Sequence, residues 1–136
     1  MRQVFDSFAG FDDFAIYLAA SLLLLALFTA IYVRVTPYAE IALIRQGNMA
    51  AAFSLSGALL GFIVPLAAAV RYSASLVDMA IWGLVALVVQ LLAFVAVKLM
   101  VPELTRDIVA GKSAQGFFLG ALSLGVGLLD AACMSY

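Results

Sequence analysis

The sequence predicts an all-α integral membrane fold, in which four transmembrane helices form two tandem, parallel helical hairpins. Apolar residues make up 67% of the 136-residue chain and charged residues only 11%, against about a quarter in soluble domains. Four stretches of 17 to 22 residues carry no charge, and about 20 residues cross a hydrocarbon core of ~30 Å. The third observation is an internal repeat with an offset of 64 residues.

The uncharged stretches predict spans at about 14–34, 49–70, 77–98 and 113–134. Together they fill a single membrane domain, 1–136, with repeats at about 12–72 and 76–136. The first span is not expected to be a cleaved signal, because three aspartates and only one arginine precede it and a signal requires a basic n-region. The amphipathic residues 1–12 are interpreted as an interfacial segment, with a partner-binding arm as the alternative.

Gly47 and Gly111 mark the same position in the two copies. The 64-residue offset also pairs Ile44 with Ile108, Ala50 with Ala114, Phe53 with Phe117, Leu55 with Leu119, Leu60 with Leu124, and Gly61 with Gly125. Because each copy contains two spans, both enter the membrane in the same orientation. The pattern favours a pseudo-twofold bundle, or hairpins that pack with other copies, over an inverted-repeat transporter.

Short interfacial helices are predicted in the two longer loops, at 38–46 and 103–110. Their charged candidates for contact with a partner are Glu40, Arg45, Glu103 and Arg106. Asn48 and Ser113 are expected to cap the spans that follow. Five of the seven basic residues lie in these loops, so the positive-inside rule places the loops in the cytoplasm and both termini in the periplasm.

Glycine recurs in the second and fourth spans, which we therefore expect to form the buried, closely packed pair, since small residues let membrane helices approach. The packing candidates are Gly57, Gly61, Gly116, Gly120 and Gly125. They serve packing within the chain or, alternatively, between protomers. Pro65 predicts a kink in the second span, which is architectural or marks a site.

Four polar residues are candidates for a functional role: Gln90, Asp130, Asp78 and Arg71. Gln90 lies in mid-span and needs a partner, either in the second span, such as Ser54 or Ser56, or in another protomer. Asp130 is an intramembrane carboxylate for which Arg71 is the natural partner. Its role is structural or, alternatively, proton or cation handling.

The composition argues against catalysis. The chain has no histidine and a single cysteine, which excludes histidine-based metal, haem or general-base chemistry and an internal disulfide. No cofactor is expected. The net charge of −1 and the lack of a basic run give no footprint for nucleic acid.

A resemblance covers nearly the whole chain. It is carried by TPYAE at 36–40, LIRQGN at 43–48, AAAF at 50–53, GA at 57–58, LGF at 60–62, PL at 65–66, WG at 82–83, QL at 90–91, PE at 102–103 and GLLDAACM at 127–134. These stretches resemble the YjfL-like family of small bacterial inner-membrane proteins, built from a twice-repeated domain of unknown function. The resemblance implies four spans, no defined catalytic residues, and an association with phage-shock-type membrane-stress proteins.

Two functional hypotheses follow. The first is a non-enzymatic, homo-oligomeric protein of the inner membrane that supports the envelope or anchors a peripheral stress protein through its cytoplasmic loops. The alternative is a small multimeric ion channel or ion-coupled transporter that uses the intramembrane polar residues. A subunit of a larger membrane enzyme is a third, weaker hypothesis.

Overall fold

The computed structural model describes residues 1–134, and gives only the backbone for Asp6, Ser7 and Ala9. The described helices are α1 (Arg2–Ala9), α2 (Phe11–Val35), α3 (Glu40–Arg45), α4 (Met49–Tyr72), α5 (Leu76–Met100), α6 (Leu104–Val109) and α7 (Ser113–Met134). Helices α2, α4, α5 and α7 are long and apolar enough to cross a membrane. The predicted four-span, all-helical fold is confirmed, and each predicted span boundary lies within three residues of a helix end. The last two residues of the predicted second repeat lie outside the described residues.

The short helices α3 and α6 each end in a turn of the same type. Gly47 has φ +86° and Gly111 has φ +80°, a backbone conformation that only glycine adopts without strain. In the first turn, Gly47 N donates to Ile44 O and Asn48 N to Leu43 O, both at 2.9 Å. In the second turn, Gly111 N donates to Ile108 O at 3.0 Å and Lys112 N to Asp107 O at 2.9 Å. Both turns are Schellman motifs at positions 64 residues apart.

Asn48 joins these two corners. Its side chain accepts a hydrogen bond from Ala51 N at 3.0 Å, which caps α4, and its Nδ2 donates to Ile108 O at 2.8 Å. The expected cap at Ser113 is wrong, because α7 already begins there and the position before the helix is Lys112. We call the end of the bundle that holds α3, α6 and both glycine turns the corner end.

Helices α4 and α7 run parallel and form the centre of the bundle. A Cβ atom added at Gly57 would overlap the backbone of Gly120, and one at Gly116 would overlap Ala50. Near the other end of the pair, a Cβ at Gly127 would overlap the backbone of Gly61. The absence of side chains at these positions is therefore what allows the two backbones to touch.

Gly125 does not belong to this seam, so its assignment to helix packing within the chain is wrong. A Cβ at Gly125 would have no atom within 4 Å. At 100° per residue, Gly120 and Gly127 share one face of α7 whereas Gly125 is turned away from it. Gly127 occupies the place in the seam that the sequence argument gave to Gly125.

Helices α5 and α2 complete the bundle on one side of the α4–α7 pair. Phe28 of α2 stacks on Phe62 of α4 with ring centroids 4.5 Å apart, and Tyr32 meets Phe94 of α5 edge-on at 5.6 Å. Apart from this aromatic contact α2 is sparsely packed, since only 11% of its membrane window is buried inside the protein. Most of its surface is left to face lipid or another protein.

Candidate functional site

Among the described residues, two carboxylates are buried at the corner end, Glu40 and Asp107, and of the two only Asp107 forms a salt bridge, with Lys112. Glu40 is the first residue of α3 and is only 1% exposed. Neither of its carboxylate oxygens has a hydrogen-bond partner among the described residues. The salt bridge found in residues 1–134 joins Lys112 to Asp107, so Glu40 has no ion-pair partner there. A buried ionised carboxylate without a partner is costly, and this cost singles out the position.

Two phenol groups lie near Glu40. Tyr32 approaches from α2, and Tyr38 from the loop before α3, where Tyr38 lies within hydrogen-bonding range of both Glu40 and Ser54 of α4. Tyr32, Tyr38 and Ser54 are buried, and neither phenol hydroxyl makes a hydrogen bond of good geometry in the described part of the chain. The Ser54 hydroxyl donates a hydrogen bond to Ala51 O at 3.1 Å. The site therefore holds one acid and several oxygen atoms that can accept a proton or share one.

The electrostatics of the site favour the neutral acid. Burial raises the pKa of the Glu40 carboxyl to about 8 from its ordinary value of 4.5. Burial also raises the pKa of Tyr38, and the neighbouring Glu40 charge adds to that rise. Both shifts have the same origin, because removing water disfavours the charged form of each group.

Because Glu40 is buried, the prediction that it is one of the loop charges available to contact a partner is wrong. The helix α3 turns its first residue into the bundle, where burial by α2 and α4 outweighs the preference of a charge for water. The sequence carried a usable signal, because the 64-residue offset pairs Glu40 with Leu104. Leu104 is the first residue of α6 and is also 1% exposed, so this helix position is an apolar one.

The other three loop charges singled out from the sequence are exposed, as a surface that meets water or headgroups requires. Arg45, Glu103 and Arg106 all lie on the outside of the corner end. An open groove beside α6 is lined in part by Thr105 and Arg106. These side chains are placed to contact a partner, whereas Glu40 is not.

Gln90 supplies a hydrogen bond in place of the one that Pro65 removes from α4. Proline has no N–H group, so Pro65 leaves the carbonyl of Gly61, four residues earlier, without its helical donor. Gln90 Nε2 donates to Gly61 O at 2.8 Å and to Ser123 O at 2.9 Å. The expected link from Gln90 to the second span is present, but its acceptor is the Gly61 carbonyl of α4 rather than Ser54 or Ser56, and a second bond reaches α7. Helix α4 continues past Pro65 to Tyr72.

The acidic residues at the opposite end have different environments. Asp78 stabilises the start of α5, where its Oδ2 accepts from Ala74 N at 3.0 Å and its N–H donates to Ser75 Oγ at 3.1 Å. Arg71 lies 5.4 Å from the Tyr72 ring centroid. Asp130 Oδ2 is buried without a hydrogen-bond partner. The expected ion pair between Asp130 and Arg71 is absent from the described residues, where the one salt bridge involves other side chains.

Within residues 1–134, no group of three or more histidine, cysteine or acidic side chains is arranged to hold a metal ion. The family model of DUF350, a domain of unknown function, matches residues 6–134. The chain belongs to this family. It is 38% identical over 134 residues to the UPF0719 inner membrane protein YjfL of Escherichia coli (strain K12), covering 98% of this chain and 99% of the relative.

The similarity extends beyond Escherichia. The UPF0719 transmembrane protein YshE of Bacillus subtilis (strain 168) is 27% identical over 122 residues, covering 88% of this chain and 91% of the relative. No solved structure is significantly similar to the chain. With its four apolar helices, this DUF350 member is a multi-pass inner-membrane protein, and the names of its relatives assign no activity.

Proposed function

We propose that this DUF350 protein is a non-enzymatic, ion-coupled membrane protein, whose coupling site is Glu40 at the corner end. The observation that carries the proposal is the burial of that carboxylate without an ion-pair partner in the described residues. Buried ionisable groups in membrane proteins are expensive and typically mark ion or proton pathways. The basic loop residues support a cytoplasmic location for the corner end, and with it for Glu40.

Ion flux into liposomes tests this function. Purified protein is reconstituted, and proton, sodium and potassium movements are followed with wild type, Glu40→Gln and Glu103→Gln. We expect flux in wild type and in Glu103→Gln, because Glu103 is exposed, and loss of flux in Glu40→Gln. Absence of flux from a correctly assembled wild-type protein would refute the proposal. A reporter active only in the periplasm, fused after the last residue, tests the orientation and should be active.

A second function is favoured by the exposed basic side chains of the corner end, which include Arg45 and Arg106. These side chains support a role as an anchor for a peripheral membrane-stress protein. The sparsely buried surface of α2 supports the formation of homo-oligomers through that helix. The test is the double charge reversal of Arg45 and Arg106 to glutamate. A peripheral protein that stays bound to membranes carrying this variant would count against anchoring, and a monomer in mild detergent would count against the oligomer.

A further inference from the structure

The two corners of the bundle use the same helix position in opposite ways. Glu40 and Leu104 each begin a six-residue helix, stand 64 residues apart, and are each 1% exposed. Leu104 shows that an apolar side chain satisfies this position. A carboxyl group at the equivalent position fits this apolar packing best when it is neutral, because a charge there would lose its hydration without gaining an ion-pair partner.

The chemistry around Glu40 limits what can neutralise it. One carboxylate balances one positive charge, so a divalent cation bound here would leave one positive charge unbalanced in the buried site. The groups that face it are the phenols of Tyr32 on α2 and Tyr38 in the preceding loop, with the Ser54 hydroxyl on α4 beside Tyr38. These hydroxyls are hydrogen-bond acceptors for a protonated acid as well as donors to an ionised one. On α3 itself, the basic residue Arg45 is exposed and carries no ion pair to Glu40.

We propose that the ion bound at this site is a proton, which Glu40 takes up from the aqueous phase at the corner end, and that the neutral carboxyl group docks α3 on the bundle. The assignment rests on the proposed function and names its ion. The step is a simple acid–base exchange, in which the carboxyl O–H bond breaks and water receives the proton. The pKa of Glu40, raised by burial to about 8, supports exchange near neutral pH.

The chain around α3 permits such a movement. Pro37 precedes the helix and Gly47, with φ +86°, follows it, so the segment is bounded by two backbone breaks. When Glu40 loses its proton, the charge is stabilised by water and α3 leaves its position against α4. The second corner has no such exchange, because Leu104 cannot ionise.

Infrared difference spectroscopy of the full-length protein in lipid bilayers tests the proposal with protons as the only probe. The carbonyl stretch of a protonated carboxyl group should disappear with a midpoint near 8 in wild type and in Glu103→Gln, and should be missing in Glu40→Gln. Hydrogen exchange of residues 38–46, compared at equal pH, should be faster in wild type than in Glu40→Gln above that midpoint and equal below it. Glu40→Leu, which copies Leu104, replaces Glu40→Gln if the latter does not assemble.

Several results would overturn the assignment. They are a midpoint at the ordinary value for glutamate, a band that still titrates near pH 8 in Glu40→Gln, or a midpoint that moves when sodium replaces potassium, which would identify sodium as a competing ion. Proton titration without ion flux refutes the proposed function alone. Flux that is lost in Glu40→Gln, with no titrating band in wild type, refutes the proton site alone.

Discussion

Removing the Gln90 amide should destabilise the bundle only while residue 65 is proline. Gln90→Met keeps the length of the side chain and removes the donor to Gly61 O, so this carbonyl loses the hydrogen bond that replaces its missing helical one. In the Pro65→Ala background the helix supplies the missing N–H itself, and Gly61 O is paired with or without Gln90. The second acceptor, Ser123 O, lies within α7 and retains the N–H of Gly127 in both backgrounds.

The expected magnitude follows from the two hydrogen bonds of the amide, at 2.8 and 2.9 Å. Interhelical hydrogen bonds in membranes contribute about 0.6–2 kcal/mol, and Gln90 Oε1 offsets part of this because it is buried without a partner. We therefore expect Gln90→Met to lower the free energy of unfolding by about 1 kcal/mol in wild type and by much less in Pro65→Ala. The packing loss caused by Pro65→Ala itself cancels in the double-mutant cycle.

The assay is reversible unfolding in mixed micelles, followed by the fluorescence of the single tryptophan, Trp82, which packs against the core. Gln115→Met is the matched control, because Gln115 lies near the start of α7 and is not fully buried, and it should cost the same in both backgrounds. If Gln90→Met also costs the same with and without Pro65, within the roughly 0.5 kcal/mol expected of independent sites, the amide does not serve the carbonyl that the proline exposes.

Three further predictions concern other parts of the molecule. Gly57→Ala should destabilise the bundle by about 1–3 kcal/mol in the same micelle assay, because its Cβ meets the α7 backbone, whereas Gly125→Ala should be nearly neutral; equal effects would contradict the seam. The pKa of Glu40 is raised from 4.5 to about 8. The contribution of Glu40 to the free energy of unfolding should therefore be highest below pH 4.5 and fall by up to about 1.4 kcal/mol per pH unit until pH 8. Unfolding curves recorded across pH should show this fall in wild type and in Glu103→Gln but not in Glu40→Gln. Asp78→Ala keeps the Ser75 cap and removes the acceptor of the Ala74 N–H, which should cost about 0.5–1.5 kcal/mol, and an unchanged unfolding midpoint would rule out that role.

The spans were predictable because length and apolar composition alone decide whether a helix can cross a membrane. The two corners were predictable from Gly47 and Gly111, since each ends a helix in the left-handed region that glycine adopts freely. The close pairing of α4 and α7 was expected from recurring glycine. Which glycines face the partner depended on helical phase, and there the choice of Gly125 over Gly127 failed.

The candidate site was harder to predict because burial is a property of the packed bundle. Glu40 looks like an ordinary charge on a loop helix, and only its pairing with Leu104 indicates an apolar environment. The partners of Gln90 are backbone carbonyls, which no side-chain pattern reveals. Pro65 nevertheless contained the clue, since a proline inside a helix always leaves one carbonyl to be paired elsewhere.

The hydrogen bond between Gln90 and Gly61 makes the two halves of the chain unequal partners. The first hairpin holds the acceptor and lacks the amide, while the second holds the amide and has leucine, at Leu129, where the first has proline. Two copies of the first hairpin would each keep an unpaired carbonyl, and two copies of the second would each bury an amide without this acceptor. Expressed as separate polypeptides, the hairpins should therefore select each other over themselves, so that one proline and one glutamine specify a heteromeric pairing inside an otherwise twofold design.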